Sequence, residues 1–118
     1  MAAHPLLSIR PATIDDVPLI RALIAELAEY ERLADAAVAT DDDLRAQLFG
    51  AQPAAEVLIG EVDGEAAGFA LFFHNFSTFL GKRGLYLEDL FVRPALRGSA
   101  LRKHLMATLA RNAGHRDC

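Results

Sequence analysis

At 118 residues the chain has room for one domain with a real hydrophobic core, spanning residues 1–118, and not for two. Hydrophobic residues at 53% against charged residues at 24% describe a globular protein and exclude a disordered one. A net charge of -4 argues against nucleic acid as a partner and mildly suits a cationic one; the lone Cys118 rules out an intrachain disulfide, and no leader pattern or apolar run of spanning length points to a membrane, so a reducing cytoplasm is expected.

Leu6 to Ile9 alternates into Arg10-Pro11, which predicts a short strand closed by a proline that cannot donate to a sheet ladder. Thr13, Asp15 and Asp16 then offer cap and dipole partners to a helix whose Ile20, Leu23, Ile24 and Leu27 fall at i, i+3, i+4 and i+7. Pro18 suits the first turn, so the regular helix is expected from Asp15 or Asp16. A second helix is expected from Thr40 through Leu48, capped by Thr40 and stopped by Gly50 and Pro53. Its Asp41, Asp42 and Asp43 read as first-turn partners of the helix dipole, because consecutive carboxylates on a helix diverge too far to share a metal.

Val57–Val62 and Ala66–His74 are β-rich runs around Asp63-Gly64, a strong signal for a two-residue hairpin turn with positive φ at both positions. The second run places Phe69, Leu71 and Phe73 on one face and Ala70 and Phe72 on the other, so both sides of the sheet should be covered. Leu85–Val92 is the next strand and ends at Arg93-Pro94. Gly98-Ser99 then leads into a helix expected to turn Leu101, Leu105, Leu109 and Ala110 inward. The order β-α-α-β-β-β-α describes an α/β (α+β) domain, a sheet flanked by helices.

The chemistry-bearing stretch runs from Leu87 to Arg102, a strand passing through a tight glycine-containing turn into a helix. Unpaired backbone N–H groups and the positive dipole end at such a helix start can hold a pyrophosphate. The stretch resembles the acetyl-coenzyme A motif of the GNAT superfamily of N-acetyltransferases, an acidic strand, then Val-x-Pro, then Arg-Gly-x-Gly-x-Gly opening a long helix. Val92-Arg93-Pro94 and Arg97-Gly98-Ser99 match it directly. Ile9 to Thr13, Glu26 to Glu31, and Gly81-Lys82 ahead of Leu85 to Asp89 resemble the diamine (spermidine/spermine-type) branch, so the likeness spans nearly the whole chain.

The resemblance implies a mixed, mainly antiparallel GNAT-like sheet. It also implies transfer of an acetyl group from acetyl-coenzyme A to a small primary amine, polyamine-like or amino-acid-derived, without a metal. Leu90, Phe91 and Val92 would lend backbone hydrogen bonds to the pantetheine arm, and Arg97, Gly98, Ser99, Ala100, Leu101, Arg102 and Lys103 would wrap the pyrophosphate. Tyr30 and Glu31 match amine-binding positions, and Glu88 matches the position of the base or substrate contact. Strand alternation turns Asp89 to the opposite face from Glu88 and so leaves it out of the site. His74 and His104 could act as bases, but neither has a partner at telling spacing.

The chain departs from the motif at Ala100 and Arg102, where the pattern has glycine for close backbone approach to phosphate. Arg97, Arg102 and Lys103 are expected to offset this by pairing with phosphate oxygens. Family members continue past the last helix with a β-α-β-β segment bearing the tyrosine that protonates the departing thiolate. The chain is therefore expected to be incomplete at its carboxy end, and neither Tyr30 nor Tyr86 stands in that tyrosine's motif. A homodimer is also implied. The rival readings are a non-catalytic coenzyme A-binding remnant and an interaction domain with no nucleotide ligand.

Overall fold

The computed structural model describes residues 6–94 and 99–118. The first strand, β1 (Leu7–Pro11), ends at its proline as expected, and a short 3₁₀ turn (Ile14–Asp16) delivers the chain into helix α1 (Val17–Tyr30). That turn is held by Asp16, whose carboxylate accepts from the Thr13 backbone N–H at 2.7 Å and from both Nη atoms of Arg10 at 2.7 and 2.9 Å. The hydrogen bonds from Arg10 lower the Asp16 carboxyl to about 2. The α-helix proper thus starts one residue later than its composition suggests, with Pro18 in the first turn where its missing N–H costs nothing.

Helix α2 (Asp41–Phe49) is capped reciprocally: Thr40 Oγ1 accepts from the Asp43 N–H at 3.1 Å, and Asp43 accepts from the Thr40 N–H at 2.9 Å. Asp42 pairs with Arg45 and Asp41 reaches Arg21, so the acidic triplet has three separate partners.

Strands β2 (Glu56–Val62), β3 (Glu65–Ser77) and β4 (Lys82–Val92) complete a sheet of order β1-β2-β3-β4 in which every ladder is antiparallel. Asp63 and Gly64 adopt φ of 52° and 83°, as the hairpin signal requires. Both β3 and β4 extend further toward their shared turn than predicted, pairing out to Ser77 and Lys82, because each supplies the other's hydrogen bonds after β2 has ended. The overhang carries Phe76, Phe79 and Leu80, all exposed.

Helix α3 (Ser99–His115) covers one face of the sheet, and α1 with α2 covers the other. On the α1 side Ile20, Leu23, Ile59, Phe69 and Phe91 form the core; on the α3 side Ala70, Phe72, Leu101, Leu105 and Leu109 form a second one. The two faces of β3 therefore separate Phe69 from Ala70 and Phe72, as its alternation predicts. Gly60 lets α3 settle against the β2 backbone, since a Cβ there would stand 3.0 Å from Leu101 Cδ1. One inward residue is corrected. Ala110 is exposed, because α3 rests on the sheet along the narrow stripe 101, 105, 109, and position 110 lies about 100° around the helix from it. Among the described residues no helix is long and apolar enough to cross a membrane.

Candidate active site

The pairing of β3 with β4 is not continuous. Leu71 opposes Asp89 and Phe72 opposes Leu87, so Glu88 is an extra residue without a partner, a β-bulge in β4. The bulge shifts the side-chain phase of the strand. Leu85 and Leu87 pack toward α3 before it, and Leu90 and Val92 pack toward α3 after it. Two consecutive residues, Glu88 and Asp89, thus fall between successive α3-facing leucines. Asp89 is not carried away from Glu88 by strict alternation, so the strand-alternation argument that set the two residues on opposite faces does not hold.

Beyond the bulge the odd-numbered residues of β4 turn toward α1 and meet it in steps. Phe91 lies in the α1-side core, with the Tyr30 ring edge-on to it at 6.3 Å between centroids. At the end of the strand Arg93 grips Glu26 through two parallel bonds, Nε to Oε1 at 2.9 Å and Nη2 to Oε2 at 2.8 Å. Glu26 and Tyr30 are one helical turn apart on α1, and Arg93, just past the end of β4, is two residues beyond Phe91, so the contacts are successive rungs between antiparallel segments. The next rung brings Asp89 within electrostatic reach of Glu31, the residue that follows the helix.

That rung is repulsive. Burial pushes the Asp89 carboxyl up from the ordinary carboxylate range, and repulsion from Glu88 and then Glu31 adds to the rise. Glu88 and Glu31 are themselves exposed, and Tyr30 keeps 67% of its surface in solvent, so this end of α1 is an open, acid-lined mouth beside the last strand of the sheet. Next to it the chain reverses at Arg32, which holds the left-handed φ of 59°. The reversal is closed by the Leu33 N–H donating to the Ala28 carbonyl at 2.7 Å. Glu29, Arg32, Leu33 and Asp35 line an open cavity of about 460 Å³ there.

Of the residues expected to bind donor, Leu90, Phe91 and Val92 send their side chains into the two cores, leaving the main chain of β4 as the group they can offer. The outer edge of β4 is unpaired among the described residues. Arg97 and Gly98 lie outside the described residues, and α3 begins at Ser99. Ala100, Arg102 and Lys103 are exposed on its first turns, whereas Leu101 is buried at 1% exposure and can contribute only its backbone. His74 sits 3.4 Å from an Nη atom of Arg116, itself paired to Glu56, and His104 is exposed on α3; neither is among the groups that perturb Asp89.

The place of Asp89 beside Glu88 was legible only through the bulge, whereas the pairing of Glu26 with Arg93 has no such signal. The spacing Leu85-x-Leu87-x-x-Leu90-x-Val92 carries the bulge, because the interval of three between apolar residues marks the inserted position.

The fold and this site define an acetyltransferase domain. The acetyltransferase (GNAT) family model matches residues 19–118, and the chain belongs to that family. It is 36% identical over 118 residues to the thialysine N-epsilon-acetyltransferase of Bos taurus, covering 93% of this chain and 69% of that protein. It is 31% identical over 150 residues to the L-ornithine N5-acetyltransferase NATA1 of Arabidopsis thaliana, covering 89% and 66%. Among solved structures, the ribosomal-protein-alanine N-acetyltransferase of Brucella melitensis superposes with a TM-score of 0.73 at 25% identity, over 95% of this chain and 74% of that one.

Proposed function

We propose that this domain moves an acetyl group from acetyl-coenzyme A to the primary amine of a small cationic acceptor, polyamine-like or amino-acid-derived. The observation that carries the reading is the gathering of Glu31, Glu88 and Asp89 beside Tyr30 at the outer strand of the sheet. A carboxylate-lined mouth attracts an ammonium group and orients it against the strand edge. Thialysine and ornithine, named for two of the relatives, are both amines, which supports an acceptor of this class.

An ammonium ion has no lone pair, so the acceptor must lose a proton before it can attack. Glu31 and Glu88 hold its positive charge, and Glu88 also takes the proton, directly or through water. Asp89 favours that step, because its own reluctance to ionise makes a proton shared among these carboxylates welcome. Acetyl-coenzyme A supplies the activated acyl group as a thioester; as the amide bond forms the C–S bond breaks, and coenzyme A leaves as a thiolate that takes a proton from solvent. The residues fit such a donor: main-chain groups on the outer edge of β4 suit an amide-bearing arm, and Arg102 and Lys103 on the first turns of α3 suit its phosphates. The acceptor's remaining cationic groups are assigned to the cavity that Glu29 and Asp35 line. A cytoplasmic setting and self-association through the exposed Phe76, Phe79 and Leu80 belong to the same reading.

Calorimetric titration with acetyl-coenzyme A, followed by a thiol-release assay over ornithine, diaminobutane, spermidine and a neutral alcohol control, tests the proposal. Binding with turnover on the diamines is expected. Binding without turnover would leave a non-catalytic coenzyme A-binding domain, and silence in both would leave an interaction domain.

A further inference from the structure

Helix α1 is anchored unevenly. Its fully buried residues, Val17, Ile20 and Leu23, all lie in its first half, whereas Tyr30 and the following Glu31, which carry the acceptor end of the site, are exposed. The same end meets β4 with like charge, since Glu31 repels Asp89. Past Leu23 the helix is held to the core by the part-buried Ile24 and Leu27 and by the Tyr30–Phe91 contact, none of which fixes it by a directional bond.

We infer that the Glu26–Arg93 pair is a positioning clamp that sets the acceptor end of α1 at a fixed distance from the donor edge of β4. Each guanidinium nitrogen makes one bond: two go to the Glu26 carboxylate, and Nη1 donates to the Ala66 carbonyl at 3.0 Å. The Arg93 backbone N–H donates to the Ala67 carbonyl at 2.6 Å, so the residue is fixed to β3 through both main chain and side chain. It directly follows the last residue of β4, and the following Pro94 restricts its backbone to extended conformations. One side chain thereby ties the helix of the acceptor to the point from which the chain departs toward α3. Exposure of 29% for Arg93 and 37% for Glu26 means that the pair adds little to overall stability, so its effect should appear in geometry. Neither residue touches the acceptor; both act through Tyr30, Glu31 and Asp89.

The clamp rests on the proposed acetyl transfer only for its use, and its geometry can be tested separately. Arg93→Met keeps the aliphatic stem, Glu26→Gln keeps the shape, and the double variant closes a cycle. Four quantities are measured: amide hydrogen exchange over residues 26–31, the thermal midpoint, and kcat and KM for L-ornithine. Each single variant should exchange about tenfold faster over 26–31 with Tm changed by less than about 3 °C. The amine KM should rise about 5- to 20-fold with kcat within about threefold, and the double variant should be no worse than either single one. Unchanged exchange in both singles, or faster exchange spread evenly over the chain with a large fall in Tm, overturns the clamp. A parent protein with no turnover on any amine overturns the acetyltransferase reading instead, while the exchange data still decide the clamp.

Discussion

The two faces of the sheet are built alike and charged oppositely. On one, α3 lays Leu101, Leu105 and Leu109 against the strands and shows Arg102, Lys103 and Arg111 to solvent, with no acidic residue along its length. On the other, α1 and α2 bury a comparable apolar core but carry Glu26, Glu29, Asp41, Asp42 and Asp43, and α1 meets β4 through an ion pair, an aromatic contact and a carboxylate cluster. The difference teaches where chemistry can sit in so small a domain. The α3 face is an apolar seam whose side chains are consumed by packing, so a ligand there meets main chain and surface cations, which suits an anionic donor. The α1 face spends side chains on charge, which suits a cationic acceptor. The strand shared by both faces, β4, is where a donor from one side could meet an acceptor from the other.

If that division is right, variants on the two faces should fail differently. Glu88→Gln, on the acidic side, should lower kcat by about 10²- to 10⁴-fold, the usual loss on removing a positioned acid–base group. Because Glu88 is exposed, its Tm should stay within about 2 °C of the parent. Steady-state kinetics alongside thermal melts read both; a loss of activity that simply follows a loss of structure would erase the distinction. Leu105→Ala, on the seam, should do the reverse. Leu105 is completely buried against Phe72 and its neighbours, so truncation leaves a cavity and should cost about 2–5 kcal/mol in urea unfolding. Turnover per folded molecule should hold within a few-fold. Were Leu105→Ala to abolish turnover while leaving stability intact, the seam would be part of the site and the comparison would break.

The contrast also explains what could be read without coordinates. The seam was legible because local rules suffice for it: Leu101, Leu105 and Leu109 recur at four-residue intervals, Asp63-Gly64 names its own turn, and Thr40 stands where a cap is needed. Ala110 escaped those rules because the width of a buried stripe depends on how the helix seats on the sheet, which periodicity within the helix does not set. The acidic face was harder. Tyr30, Glu31 and Glu88 came from a family likeness, whereas the placing of Asp89 follows from β3 pairing with β4 across a skipped residue, a choice made between strands. The partnership of Glu26 with Arg93 joins residues 67 positions apart and leaves no local trace. The glycine turn that carried the donor expectation, with Arg97 and Gly98, lies outside the described residues, so its part in the site stands on the resemblance.

The smallest effect should be the most informative about the acidic side. Asp89 has a raised folded-state pKa, so its ionised form is disfavoured in the native protein relative to the unfolded chain. At neutral pH the carboxylate therefore subtracts from stability, and the subtraction vanishes as pH falls below the unfolded aspartate value of 3.8, where both states are protonated. Asp89→Asn removes the charge while keeping the shape, so it should melt above the parent at pH 7 by on the order of a degree or two. That advantage should shrink steadily as the pH is lowered through the carboxylate range. Its turnover should fall by less than that of Glu88→Gln, since Asp89 is assigned to shape the proton affinity of its neighbours while Glu88 meets the amine. A series of melts between pH 7 and about 3 decides the matter: a variant no more stable than the parent at pH 7, or one whose advantage grows on acidification, would show that neither burial nor the neighbouring carboxylates disfavour the Asp89 charge. The acidic face would then be only a solvated surface, with nothing to set it apart functionally from the opposite one.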